Sequence, residues 1–304
     1  MIAKHLNETC ACRTFEPKNL DEECRALMTS NAHLFSATTV FISPNQLNAI
    51  EESVREIEGA IAQSEYQKKA LSHSSAIASV DQKTLGVFMG YDFHLSDEGP
   101  KLIEINTNAG GAFLNLQLAR AQEACCQEQN LFFKTHKLVD VEKLFIEMFQ
   151  NEWRLSKGDR PLNTIAIVDS HPSGQYLYPE FQLFQKLFEK YGHQCIIADP
   201  SELKFEDGKL CHQEKTIDLV YNRLTDFYLD EAAELKAAFE SGSIVLTPAP
   251  HHHALYANKL NLVTLCQTIK SIPLTQQVSA INQHELWEKR KNFFFKPLCG
   301  YGSK

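Results

Sequence analysis

The sequence predicts an α/β protein that combines a parallel sheet with an antiparallel hairpin. Three observations point there. Short apolar strands alternate with amphipathic helices from residue 164 to residue 247, the pattern of a parallel sheet covered by helices. Residues 90–111 (GYDFHLSDEGPKLIEINTNAGG) read as two strands joined by turn residues. The whole chain, 304 residues with 43% hydrophobic and 22% charged side chains, has the composition of a globular protein long enough for two domains.

Residues 1–42 show no readable periodicity. Ser43-Pro44-Asn45-Gln46 then has the chemistry of a helix start, with Ser43 as N-cap, Pro44 at the first helical position and Gln46 closing a capping box. Leu47, Ile50, Val54, Ile57 and Ile61 follow at helical spacing. After the hairpin, Gly110-Gly111 precedes a helix expected over 113–120, whose first N–H groups would point back toward the hairpin as a place for an anion. Another helix is expected over 141–153, and 154–163 reads as a linker.

Strands are then expected at 164–168, 194–198, 217–221 and 243–247. Helices separate them: one with Leu177, Phe181, Phe184, Phe188 and Tyr191 on one face, another over 230–240. Ligands of such sheets bind outside the carboxyl ends of the strands, which puts the loop His171-Pro172-Ser173-Gly174 and Asn222-Arg223 at the rim. From Pro248 onward a helix is expected over 256–269, a helical patch over 284–291 and a strand over 292–296. The histidines 251–253 read as a loop, and PLCGYGSK closes the sequence. The resulting division is 1–153 for a helical region with the hairpin, 162–250 for the parallel α/β domain and 251–304 for a third segment.

With the hairpin turn centred on Glu98, Asp92 lies opposite Glu104 and His94 opposite Leu102. Side chains alternate along a strand, so Asp92, Glu104 and Asn106 share one face. Tyr91, Phe93, Leu95, Ile103 and Ile105 share the other. Neighbouring carboxylates repel unless a cation sits between them, and hard oxygen ligands suit magnesium. A surface hairpin with scattered polar residues is the plainer reading.

Lys296 ends an apolar strand and is followed by Gly300-Tyr301-Gly302-Ser303. A point charge and accessible backbone N–H groups suit phosphate binding. The order is not that of a Walker A loop, because the lysine precedes the glycines.

Together these segments resemble the ATP-grasp family. Asn258-Lys259, Pro273-Leu274-Thr275, Phe295-Lys296-Pro297 and the glycine loop are similar to its first nucleotide-binding lobe. Tyr91-Asp92-Phe93 and Leu102-Ile103-Glu104-Ile105-Asn106-Thr107 are similar to its metal-binding lobe, as in D-alanine–D-alanine ligase. The hairpin precedes the glycine loop, an order that resembles the circularly permuted ATP-grasp group of glutathionylspermidine synthase, with 162–250 as a Rossmann-like pre-ATP-grasp domain.

The resemblance implies ATP and magnesium as cofactors. Asp92, Glu104 and Asn106 would bind the metal, while Lys296 and the backbone of Gly300, Tyr301, Gly302 and Ser303 would hold the phosphates. Gly110 and Gly111 would offer N–H groups to an oxyanion, and Arg223 would meet an acidic substrate group unless it serves a rim salt bridge. The reaction implied is activation of a carboxylate as an acyl phosphate, then attack by an amine or thiol on a small-molecule or peptide substrate.

The sequence ends before a return strand or an adenine hinge, so the resemblance implies a truncated or degenerate lobe, weak or inactive alone. A non-catalytic nucleotide- or peptide-binding relative is the alternative. An acid–base hydrolase using Asp92 and Glu104 ranks behind both.

A net charge of −8 argues against general nucleic-acid or membrane-surface binding. Nine scattered cysteines, in no paired zinc-finger array, and no apolar leader predict a cytoplasmic protein with free thiols.

Overall fold

The structure is a computed structural model that describes residues 2–9, 25, 34–36, 38–121 and 140–298. It is a mixed α/β protein with parallel and antiparallel sheets. The chain divides into two compact units that interleave in sequence. One unit comprises Pro44–Val80, Met89–Thr107 and Pro250–Lys304; the other comprises Met1–Ser43, Asp81–Phe88 and Asn108–Ala249.

The first of these carries the hairpin, β1 (Gly90–Ser96) and β2 (Gly99–Asn106). The helix Pro44–Ile61 starts where Ser43-Pro44 predicts, and it buries Ile57 and Ile61. A core of Ile57, Ile61, Tyr66, Leu102, Ile105, Leu255, Leu262 and Leu265 joins this helix, the hairpin and the segment after Pro250.

The hairpin register departs from the expected one in an instructive way. Ser96 pairs with Gly99, so the loop is the two residues Asp97-Glu98, one shorter than a turn centred on Glu98. Gly99 has φ +101, where a side chain would be strained. His94 therefore pairs with Lys101 and Phe93 with Leu102, while Asp92 still pairs with Glu104. A β-bulge at Ile103 absorbs the extra residue. The parity of β2 changes there: Leu102 and Ile105 are buried, and Ile103, expected inside, is 40% exposed.

Two further expectations are corrected in this unit. Residues 292–296 form no strand: Arg290–Asn292 is a short 3₁₀ turn, Phe293 after it is extended, and no strand among the described residues pairs with the phenylalanines. Their apolar run reads as a strand, but no neighbouring strand accepts its backbone. The histidine run is not a loop. It opens a helical turn (Pro250–His252) that continues as a π-turn (His253–Ala257), and the helix after it is short, Leu260–Leu265.

The second unit holds a parallel sheet of β3 (Thr164–Val168), β4 (Gln194–Ala198), β8 (Leu219–Asn222) and β9 (Val245–Thr247), in the order β4-β3-β8-β9. Between β4 and β8, three short antiparallel strands form a second sheet: β5 (Leu203–Glu206), β6 (Lys209–His212) and β7 (Lys215–Thr216). β3 and β9 are buried throughout, as expected of strands covered on both faces.

The helices Val141–Lys157 and Tyr178–Lys190 supply an aromatic core. Phe149, Phe184, Phe188 and Tyr221 meet with ring centroids 4.9–6.1 Å apart. The chain leaves β3 toward β4 on one side and returns to β8 on the other. The strand order thus reverses between β3 and β8, the switch point of an open α/β sheet.

Candidate functional site

The charged face of the hairpin brings four of the predicted residues together. Asp92 and Glu104 face each other across the two strands. Asn106 donates its Nδ2 to Asp92 Oδ2 at 3.1 Å. Lys296 reaches the same face: its Nζ lies 3.1 Å from Glu104 Oε2 and donates to Ile103 O at 3.0 Å. The Glu104 and Lys296 side chains are 33% and 24% exposed, so solvent reaches both. Gly300, Tyr301, Gly302 and Ser303 lie outside the described residues.

Behind the hairpin is a carboxylate that sequence reasoning missed. Glu58 accepts hydrogen bonds from Tyr91 Oη and from Tyr256 Oη, the latter at 2.8 Å. Burial, then the bond to Glu58, pushes both tyrosine hydroxyls far above their usual range. They remain neutral donors, and they fix the hairpin to the helix Pro44–Ile61. Tyr66 adds a bond to Leu255 O at 2.7 Å.

Gly110, Gly111 and Arg223 belong to the other unit, where a second polar cluster is built around Glu180. This side chain is 1% exposed. Its two oxygens accept from the N–H groups of Gly111 at 2.7 Å and Phe113 at 2.8 Å. Glu180 therefore caps the helix Ala112–Ala121 and sits where an anion would favour the helix dipole. The place that the sequence offers to an external anion is taken by the protein's own carboxylate.

Arg223 follows β8 and is buried. Its Nη1 donates to Asn108 O at 2.7 Å and Ala109 O at 3.0 Å, and its guanidinium stacks against Tyr221 and Phe181. It clamps the loop backbone and makes no salt bridge among the described residues. A Cβ on Gly110 would come within 2.3 Å of Leu177 Cδ1 and 2.8 Å of Arg223 Nη2, so any larger residue would require those two side chains to shift.

At the carboxyl end of β3, Asp169 is nearly buried, and that burial raises its carboxyl to about 6 despite the bond from Ser170 N–H and the nearby Arg223. The His171 loop lines an open cavity of about 490 Å³ with Ser173, Tyr178, Asp199 and Glu202. Asp199 accepts from His171 N–H at 2.7 Å and from the Ser201 hydroxyl, which hold its carboxyl down at about 2.

In the histidine run, burial holds His253 down at about 4, neutral at physiological pH. Among the described residues no three His, Cys, Asp or Glu side chains cluster as a metal site. The hairpin set consists of two carboxylates and an amide. No helix among the described residues is long and apolar enough to cross a membrane.

This mixed α/β arrangement has a counterpart among solved structures. A similar solved structure is that of a glutathione synthetase-like effector, GSS30, from Globodera pallida in its apo form. The likeness has a TM-score of 0.52 at 16% identity and covers 76% of this chain. The chain spans 58% of that protein's length. At this identity the likeness is one of fold. No family model and no curated protein matches the sequence.

Proposed function

We propose that the protein is an ATP- and magnesium-dependent ligase that activates a carboxylate as an acyl phosphate for attack by an amine or thiol. The observation that carries this reading is the meeting of Asp92, Glu104, Asn106 and Lys296 on one face of the hairpin, in a fold similar to that of a glutathione synthetase-like protein.

The donor set fits a hard cation. Two carboxylates face each other, and Glu104 has already drawn an ammonium to itself. Asp92, Glu104 and Asn106 would hold magnesium, which supplies charge neutralisation of the ATP phosphates when bound. Lys296 would place its positive charge on the phosphate oxygens. Glu58, through Tyr91 and Tyr256, keeps the hairpin in position for both tasks. Catalysis of this kind is mainly positioning and electrostatics.

Thermal denaturation with and without Mg-ATP tests the site. Wild type is expected to gain several degrees in Tm, and Glu104→Gln and Asn106→Ala to lose that gain. An unmoved wild-type Tm counts against the reading.

One observation favours a second reading, a nucleotide- or peptide-binding protein of the same fold without turnover. The Gly111 N–H, the expected oxyanion donor, is already bound to Glu180. ADP release during incubation with candidate carboxylates and amines separates the two. Binding of Mg-ATP without any ADP release supports the second.

A further inference from the structure

We propose that Lys296 is a built-in counter-cation for Glu104, which a divalent metal must displace before the site can load. The inference rests on the metal reading of the hairpin and adds a regulation of that site.

Asp92 and Glu104 are directly opposed on adjacent strands, so an empty site carries a repulsion that needs a positive charge. Lys296 supplies it. Its ammonium bridges Glu104 Oε2 and the carbonyl of Ile103, the residue at the hairpin's bulge. The hairpin's own lysine turns elsewhere: Lys101 Nζ reaches toward Lys270 O. Among the described residues no strand pairs with residues 293–296, and the Lys296 side chain bonds this segment to the hairpin.

An ammonium and a divalent ion on one carboxylate repel each other. Metal entry therefore costs the Lys296 bond, and by linkage the bond weakens metal binding by the same factor. Once displaced, the ammonium is free for phosphate oxygens. The lysine thus has opposite effects on the two ligands: it opposes the metal alone and favours the nucleotide.

The test uses the full 304-residue chain and Mn²⁺ without nucleotide, titrated by electron paramagnetic resonance of the free ion. Lys296→Gln is expected to bind Mn²⁺ about fivefold tighter than wild type, the scale of a partly exposed ion pair. Lys296→Arg keeps the charge and is expected to stay within about twofold of wild type. In the same variants ATP affinity, measured with Mg²⁺ saturating, is expected to fall for Lys296→Gln. Equal or weaker Mn²⁺ binding by Lys296→Gln, with binding still lost in Glu104→Gln, overturns this inference and leaves the metal site standing. Absence of any Glu104-dependent Mn²⁺ binding overturns the metal site as well.

Discussion

Glu180 and Glu104 are both glutamates with bonded oxygens, yet they sit in opposite circumstances. Glu180 is buried and spends its oxygens on two backbone N–H groups. Glu104 is one-third exposed and meets a single flexible lysine. A buried carboxylate must be satisfied by fixed donors or the fold loses stability. A partly exposed one can exchange its partner at little cost, because water and salt already compete for it. The cluster around Glu180 is therefore structure, and the hairpin face is the part of the molecule able to trade partners with a ligand.

Four substitutions bear on this contrast. Glu180→Ala leaves the Gly111 and Phe113 N–H groups without their acceptor and removes a helix cap at once. It is expected to cost about 2–5 kcal/mol in urea denaturation. A loss under 1 kcal/mol would mean that the cluster is not the structural half of the pair.

Asp169→Asn is expected to act in the opposite direction, with a pH signature. The folded carboxyl titrates near 6 against an ordinary value of 3.8. Between those values the folded state binds more protons than the unfolded chain, so this group lowers stability as pH rises from about 4 to about 6. Removing the charge should gain roughly 2 kcal/mol at pH 7 and well under 1 kcal/mol near pH 4. An equal gain at both pH values would rule out titration as its source.

Gly110→Ala forces a methyl against Leu177 and Arg223 and is expected to cost about 1–2 kcal/mol, read from the urea midpoint. Glu104→Gln should change the stability of the ligand-free protein by less than about 1 kcal/mol. If its midpoint fell as far as that of Glu180→Ala, Glu104 would be a structural carboxylate too.

The strand–helix alternation of 164–247 was legible because fully buried strands and amphipathic helices leave opposite periodicities. The small β5-β6-β7 sheet was not: its strands are two to four residues long, too short to show a period. In the hairpin, the pairing of Asp92 with Glu104 was legible. The register between them and the turn was not, because a shorter loop and a bulge cancel and leave no compositional trace. The strand expected at 292–296 failed for a non-local reason, since apolar content speaks for burial but cannot supply a neighbouring ladder.

Glu180 and Glu152 were missed although a signal existed. Each sits on the apolar stripe of its helix, Glu180 three residues after Leu177 and Glu152 three after Phe149. A charge on such a stripe must be bound inside. Glu152 accepts from the N–H groups of Leu85 and Gly86 and from the Thr247 hydroxyl.

The bulge at Ile103 makes one residue of the hairpin separable from the rest. Without it, Phe93 would still oppose Leu102 and Asp92 would still oppose Glu104, because both pairs exist already on either side of the extra residue. Excising a single codon would regularise the ladder and keep both faces of the hairpin as they are. Of the two groups that hold Lys296, only the Ile103 carbonyl would go. Shortening the chain by one residue would take away one of the lysine's two partners while leaving its charge, its bond to Glu104 and every carboxylate in the protein.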